Sequence, residues 1–171
     1  VLTLLLASAL PAAARADRQM DPELRGVLAE VIHPTECFED RYARAVWFAA
    51  MDPRLSRYVK DSKEREQILH HVHCEAKRVD VPPELVLAVM DVESRFDRYA
   101  VSSAGAVGLM QVMPFWPREL GMSNEQLIRI GDNVRMGTTI LSYYLRKERG
   151  NYQRALQRYH GSLGRPTYSD L

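Results

Sequence analysis

The chain of 171 residues has almost no net charge: 23 Lys and Arg stand against 22 Asp and Glu, a formal net charge of +1. That balance forces no basic stripe of the kind a nucleic-acid surface needs, and no acidic tail appears, so no nucleic-acid partner is expected. Long hydrophobic runs are missing too. The longest, residues 1–10 (VLTLLLASAL), stops at Pro11 and is too short to span a bilayer as a helix. No stretch alternates apolar and polar residues with β-branched enrichment over strand length, which argues against a sheet. No internal repeat or low-complexity run is present. The Gly-Lys-Ser/Thr ending of a phosphate loop is absent, as is the His-Glu-x-x-His order of a zinc-protease helix. What remains is an ordinary globular composition, 46% hydrophobic and 26% charged, on a chain long enough for one well-buried core.

The N-terminal run leads through small residues to Ala14-Arg15-Ala16, the A-x-A form of a signal-peptidase site. Residues 1–16 are therefore expected to be an export signal. No cysteine lies near the cleavage point, so neither a lipoprotein anchor nor a transmembrane anchor is expected in the mature chain. A buried N-terminal helix is the alternative, and Pro-Ala-Ala-Ala-Arg-Ala continues one poorly. Export would place Cys37 and Cys74, the two cysteines of the chain, where a disulfide is permitted. Such a bridge would close a loop of about 36 residues, contributing roughly 3–4 kcal/mol in the chain-entropy model. Two buried free thiols fit the spacing equally well.

The pattern predicts a mainly α fold. Asp21-Pro22 and Asp52-Pro53 each have the N-cap then N1-proline order that opens a helix. Residues 41–51 carry Trp47, Phe48 and Met51 on an apolar helical face. Residues 62–78 form a further helix, with Ser62 able to cap it and Ile68, Leu69, Val72 and Ala76 at helical spacing. Pro82-Pro83 break the chain and start the next helix, from Glu84 to about Phe96, with Leu85, Val89, Val92 and Phe96 on one stripe. Segments 124–130, 133–148 and 151–159 complete the series.

Two clusters carry candidate chemistry. His70, His73 and Cys74 stand at i, i+3 and i+4, one helix face from which they could ligate zinc, but solvated or packing histidines explain the run better and no metal site is expected. The second is DVESRFDRYAVSSAGAVGLMQ, residues 91–111. At about 100° per residue, Asp91 lies on the opposite helix face from Glu93. Asp97 is near the helix end, where it could cap or pair with Arg98. Glu93 ends an apolar helix, and partial burial there would raise its pKa and suit it to general-acid work. A buried Glu satisfied by Arg95 or a loop amide is the structural alternative. The small-residue loop that follows contains Gly105 and Gly108, which allow unusual φ values and close approach to a ligand. Gln111 supplies an amide for sugar hydroxyls, and Tyr143, Tyr144, Tyr152 and Tyr159 offer aromatic surfaces of the kind a glycan groove uses.

Taken in order, Glu93-Ser94, Ser102, the run from Gly105-Ala106 through Gly108-Leu109-Met110-Gln111 to Pro114, Asn133 with Gly137, and Tyr159 resemble the soluble lytic transglycosylase catalytic domain, from about Leu69 to Tyr168. The resemblance implies a goose-lysozyme-like helical fold over residues 63–171, with residues 17–62 as an N-terminal helical extension. Related domains usually continue beyond this point, so a final helix is expected to be missing. It implies Glu93 as the catalytic acid and base, and Ser94 as support for its helix end. Ser102 would help position the substrate N-acetyl group, with Met110 and Gln111 as sugar contacts and Tyr159 near the acid. Asn133, Gly137, Gly105 and Gly108 would be structural. The family usually has Tyr-Asn at its fourth motif, whereas this chain has Tyr159-His160; His160 would keep a hydrogen bond there but titrates near neutral pH. The implied partner is the glycan strand of peptidoglycan, cut between N-acetylmuramic acid and N-acetylglucosamine in a periplasmic or cell-envelope setting. No cofactor is implied. A goose-type hydrolytic lysozyme, a non-catalytic peptidoglycan-binding module and an envelope scaffold contacting partner proteins through residues 17–61 are the competing expectations.

Overall fold

The structure is a computed structural model that describes residues 21–29, 37 and 41–161. The expected export signal lies outside these residues. Among the described residues, seven α-helices and one 3₁₀ turn follow in order: α1 (Pro22–Ala29), α2 (Arg41–Leu55), α3 (Ser62–Arg78), α4 (Pro83–Ser94), α5 (Phe115–Glu119), the 3₁₀ turn (Asn124–Ile128), α6 (Ile130–Lys147) and α7 (Tyr152–Tyr159). Among the described residues there is no strand, only isolated bridges pairing Val107 with Val101 and with Val112. The mainly helical expectation holds.

The central element is α6. From Ile130 to Tyr143 nearly every residue is buried, because α3, α7, α1 and the 3₁₀ turn all pack against it. Leu24 and Leu28 of α1 and Trp47 and Leu55 of α2 join the same apolar core, so the N-terminal helices share the core of the rest. Tyr143, expected as a glycan surface, is instead buried. Its hydroxyl donates to Asp21 Oδ2 at 2.5 Å and Lys147 Nζ meets the same oxygen at 2.6 Å, which ties α1 to α6. These contacts hold the Asp21 carboxyl down at about 2, and burial beside Asp21 pushes the Tyr143 phenol up to about 12. A disulfide joins Cys37 to Cys74 on α3. The Cys74 sulfur is thereby withdrawn from the His70, His73, Cys74 zinc face.

Several local expectations need correction. Pro53 does not open a helix; it lies inside α2, two residues before its end, where it removes one backbone donor from the last turn. Asp52 instead accepts from Arg65 Nε at 2.6 Å. Asp61, not Ser62, caps α3, accepting from the backbone N–H groups of Lys63 and Glu64. On α4 the buried stripe is Val86, Val89 and Met90, while Val92 is 55% exposed. The helix ends at Ser94 because Arg95 and Phe96 both turn left-handed, with φ of 50° and 63°. That reversal, rather than helical continuation, delivers Phe96 to the core.

Candidate active site

Glu93 follows Val89 by four positions, so it continues the buried face of α4 at the point where the helix stops. The neighbouring Ser94 secures that end: its hydroxyl donates to the Leu109 carbonyl at 2.7 Å and lies 3.2 Å from that of Met90. The chain then doubles back through a compact loop. The Ser102 hydroxyl accepts from the Ala106 N–H at 3.0 Å, and the Ser102 carbonyl accepts from Gly105 at 2.9 Å. Gly105 has φ of +85° and open space around it, so conformation alone selects glycine there. Gly108, with φ of +81°, has no room for a Cβ, which would fall 2.4 Å from Asn133 Nδ2 and 2.7 Å from the Leu127 carbonyl.

The loop is pinned to α6 through Met110. Its N–H donates to Asn133 Oδ1 at 2.8 Å, and the Asn133 amide donates in turn to the carbonyls of Val107 and Leu127, both at 2.9 Å. Its side chain packs on Gly137, where a Cβ would stand 2.5 Å from Met110 Cβ. Met110 is fully buried. It is therefore a peg and not the sugar contact expected of it. Gln111, at φ of 48°, spends its amide N–H groups on the Ala100 and Gly108 carbonyls at 3.2 and 3.1 Å.

From the other side, α7 brings Tyr159, whose hydroxyl donates to the Met110 carbonyl at 2.7 Å. The next residue, His160, places Nδ1 3.1 Å from Glu93 Oε1. The Glu93 side chain is only 10% exposed. Burial raises its pKa above the ordinary carboxylate value, and the contact with His160 pulls the other way without cancelling the effect. The partners anticipated for a structural Glu93, Arg95 or a loop amide, are not what it meets.

The other two acids of the stretch are elsewhere. Asp91 lines a separate cavity of about 400 Å³ with Arg54, Arg57, Tyr58 and Glu84. Asp97 accepts from the Tyr99 N–H at 2.8 Å, and the Arg98 guanidinium donates to the Ile128 carbonyl, so the two do not pair. Sequence reading missed the Leu109 carbonyl as the anchor of Ser94 and the Met110 carbonyl as that of Tyr159. Backbone acceptors carry no residue-type signal, so nothing in the sequence marks them.

The family model for the transglycosylase SLT domain matches residues 71–167. Over 48 residues the chain is 54% identical to membrane-bound lytic murein transglycosylase C of Actinobacillus pleuropneumoniae serotype 5b (strain L20), covering 28% of this chain and 13% of that protein. Over 39 residues it is 49% identical to the protein of the same name from Haemophilus influenzae (strain PittEE), covering 23% and 11%. The matched region thus spans a small part of these relatives. Among solved structures, an inactive glutamate-to-glutamine mutant of the lytic transglycosylase Slt from Pseudomonas aeruginosa aligns with a TM-score of 0.53 and 25% identity, over 88% of this chain and 25% of that one. The family model covers more than half of the residues, including every motif residue from Glu93 to His160, and the chain belongs to the transglycosylase SLT domain family.

Proposed function

We propose that the protein is a peptidoglycan lytic transglycosylase, exported to the periplasm or cell envelope, that cleaves the bond between N-acetylmuramic acid and N-acetylglucosamine. The observation that carries this reading is Glu93, a buried carboxyl with a raised pKa at the end of an apolar helix. Such a group keeps its proton toward neutral pH and can deliver it to a glycosidic oxygen. The names of the relatives supply the substrate class, and the inactive glutamate-to-glutamine mutant among the structural neighbours is consistent with a glutamate at the centre of the chemistry.

Ordinary glycosidases place a second carboxylate beside the acid. Here Asp91 faces a different cavity and Asp97 is held in its own turn. This favours an internal nucleophile. After Glu93 protonates the leaving oxygen, its carboxylate takes the proton of the C6 hydroxyl of the same muramic acid. That hydroxyl closes on C1 to give a 1,6-anhydro end. The nucleophile is already attached to the substrate, so its effective concentration is high. Each proton is handled by one group, first as acid and then as base, and the reaction calls for neither metal nor organic cofactor. Ser102 and Gln111 belong to the loop that follows the Glu93 helix and are proposed to contact the glycan. The Met110 backbone holds Tyr159, and through it His160, in place.

Mass spectrometry of the soluble products from purified peptidoglycan tests the proposal. Muropeptides lighter by one water than hydrolytic products, lost on Glu93→Gln, are the expected outcome. Ordinary reducing ends would make the protein a hydrolase, and retained glycan binding with no release would make it a binding module.

A further inference from the structure

The reading of Glu93 as a lone acid leaves one neighbour unused. His160 stands at the same carboxyl, and an imidazole can both accept and donate a proton. Its placement is built by a chain of contacts: Asn133 holds the Met110 N–H, the Met110 carbonyl holds the Tyr159 hydroxyl, and His160 is the next residue. We infer that Glu93 and His160 share one proton through the 3.1 Å contact between Oε1 and Nδ1, and that His160 is the positioning residue that stores the proton Glu93 delivers. The inference rests on the transglycosylase reading above.

The proton count closes. The resting pair holds a single proton, either on the carboxyl with a neutral imidazole or on the imidazole with a carboxylate. Transfer from Nδ1 to Oε1 makes the neutral acid, which protonates the glycosidic oxygen and leaves the pair with none. The C6 hydroxyl then gives its proton to the carboxylate as its oxygen bonds to C1, and the pair returns to one proton. A carboxyl alone would lose its acid form as pH rises through its own value. A shared proton leaves only at the higher, joint value of the pair.

The groups that face Glu93 from the packed elements are engaged elsewhere. From α4, Ser94 is engaged with carbonyls, Asp91 lies in the other cavity and Asp97 is in its turn. From the loop comes the neutral Gln111 amide, bonded to Ala100 and Gly108. From α6 come the neutral Asn133 and Thr138, the latter against Met110 sulfur. From α7, Tyr159 is on Met110 and Arg158 is paired with Glu148. Among the described residues, His160 is the one side chain whose contact shifts Glu93.

Two measurements on the intact protein test this. In an NMR titration the His160 imidazole is expected to lose its proton at higher pH in the wild type than in Glu93→Gln, since glutamine cannot share it; coincident titrations overturn the inference. In the kinetics, His160→Asn and His160→Gln both retain an amide donor but cannot hold a proton. Each is expected to move the alkaline midpoint of the kcat/KM profile toward acid by about one pH unit. An unmoved midpoint means that His160 is only a hydrogen-bond donor and overturns the inference. If the wild type releases nothing from peptidoglycan, the proposed function falls while the NMR comparison still decides whether the pair shares a proton.

Discussion

Glu75 on α3 is 1% exposed and receives Arg78 Nε at 2.6 Å and Arg135 Nε at 2.9 Å. Glu93 on α4 is 10% exposed, and its side-chain partner among the described residues is an imidazole. Both are glutamates turned inward from helices of one core. The first is saturated: its two arginines are themselves buried or half-buried, and Arg78 also donates to Thr139 at 2.6 Å across to α6. Its charge is fully committed to joining α3 to α6. The second is desolvated and incompletely compensated, so its pKa stays above the ordinary carboxylate value. Burial is therefore common to both; what sets the proposed catalytic carboxylate apart is burial without a paired arginine.

The contrast is tested most strongly by exchanging each acid for its amide or for alanine. Glu93→Gln should lower turnover by roughly 10²–10⁴-fold, the usual share of a positioned acid, with the helical circular dichroism unchanged. Near-wild-type release of muropeptides from this variant would break the comparison from the Glu93 side. Glu75→Ala should do the opposite. It strands Arg135 in the core and is expected to cost about 3–5 kcal/mol in denaturant unfolding, and a stability close to that of the wild type would show that the Glu75 network is dispensable.

Gly137→Ala probes the link between the core and the site. The new Cβ meets the buried Met110 side chain, and overpacking of this kind costs about 1–3 kcal/mol. Turnover should fall by more than the loss of folded protein explains, because Met110 carries the anchor of Tyr159. Activity that merely tracks the folded fraction would separate the core from the site.

The smallest effect concerns stability and pH. The folded-state value of Glu93 lies above its unfolded one, so its contribution is fully present below the ordinary carboxylate range and is lost as pH rises through the raised value. Glutamine has no such loss. Glu93→Gln should therefore melt at a higher Tm than wild type near neutral pH, with the gap closing in acid. A gap of constant size across that range would mean that ionisation of Glu93 is not what destabilises the native state.

The helices were readable because their evidence is local. Apolar spacing at Ile68, Leu69, Val72 and Ala76 and proline at position 22 act within a turn or two of the chain. Glu93 was readable for the same reason, as a carboxylate ending an apolar helix, and the ordered motifs around it were legible as a family pattern. The errors arose where an outcome depends on what arrives from far away. Val92 sits at a plausible stripe position yet faces out, because the rest of the core meets the Val86, Val89 and Met90 side of the helix. Tyr143 has the composition of a sugar platform, but α1, more than a hundred residues earlier, covers it.

Sequence alone determined the helical class, the place of Glu93 at the end of an apolar helix and the glycines of the loop that follows, since periodicity, residue chemistry and steric permissiveness belong to single residues and their near neighbours. Tertiary structure alone decided that Met110 is a peg, that Glu75 is neutralised and that His160 reaches Glu93. The last of these contacts joins positions 67 residues apart. Packing of α7 on α6, and of α6 on the loop, brings them together, and no local pattern encodes that distance.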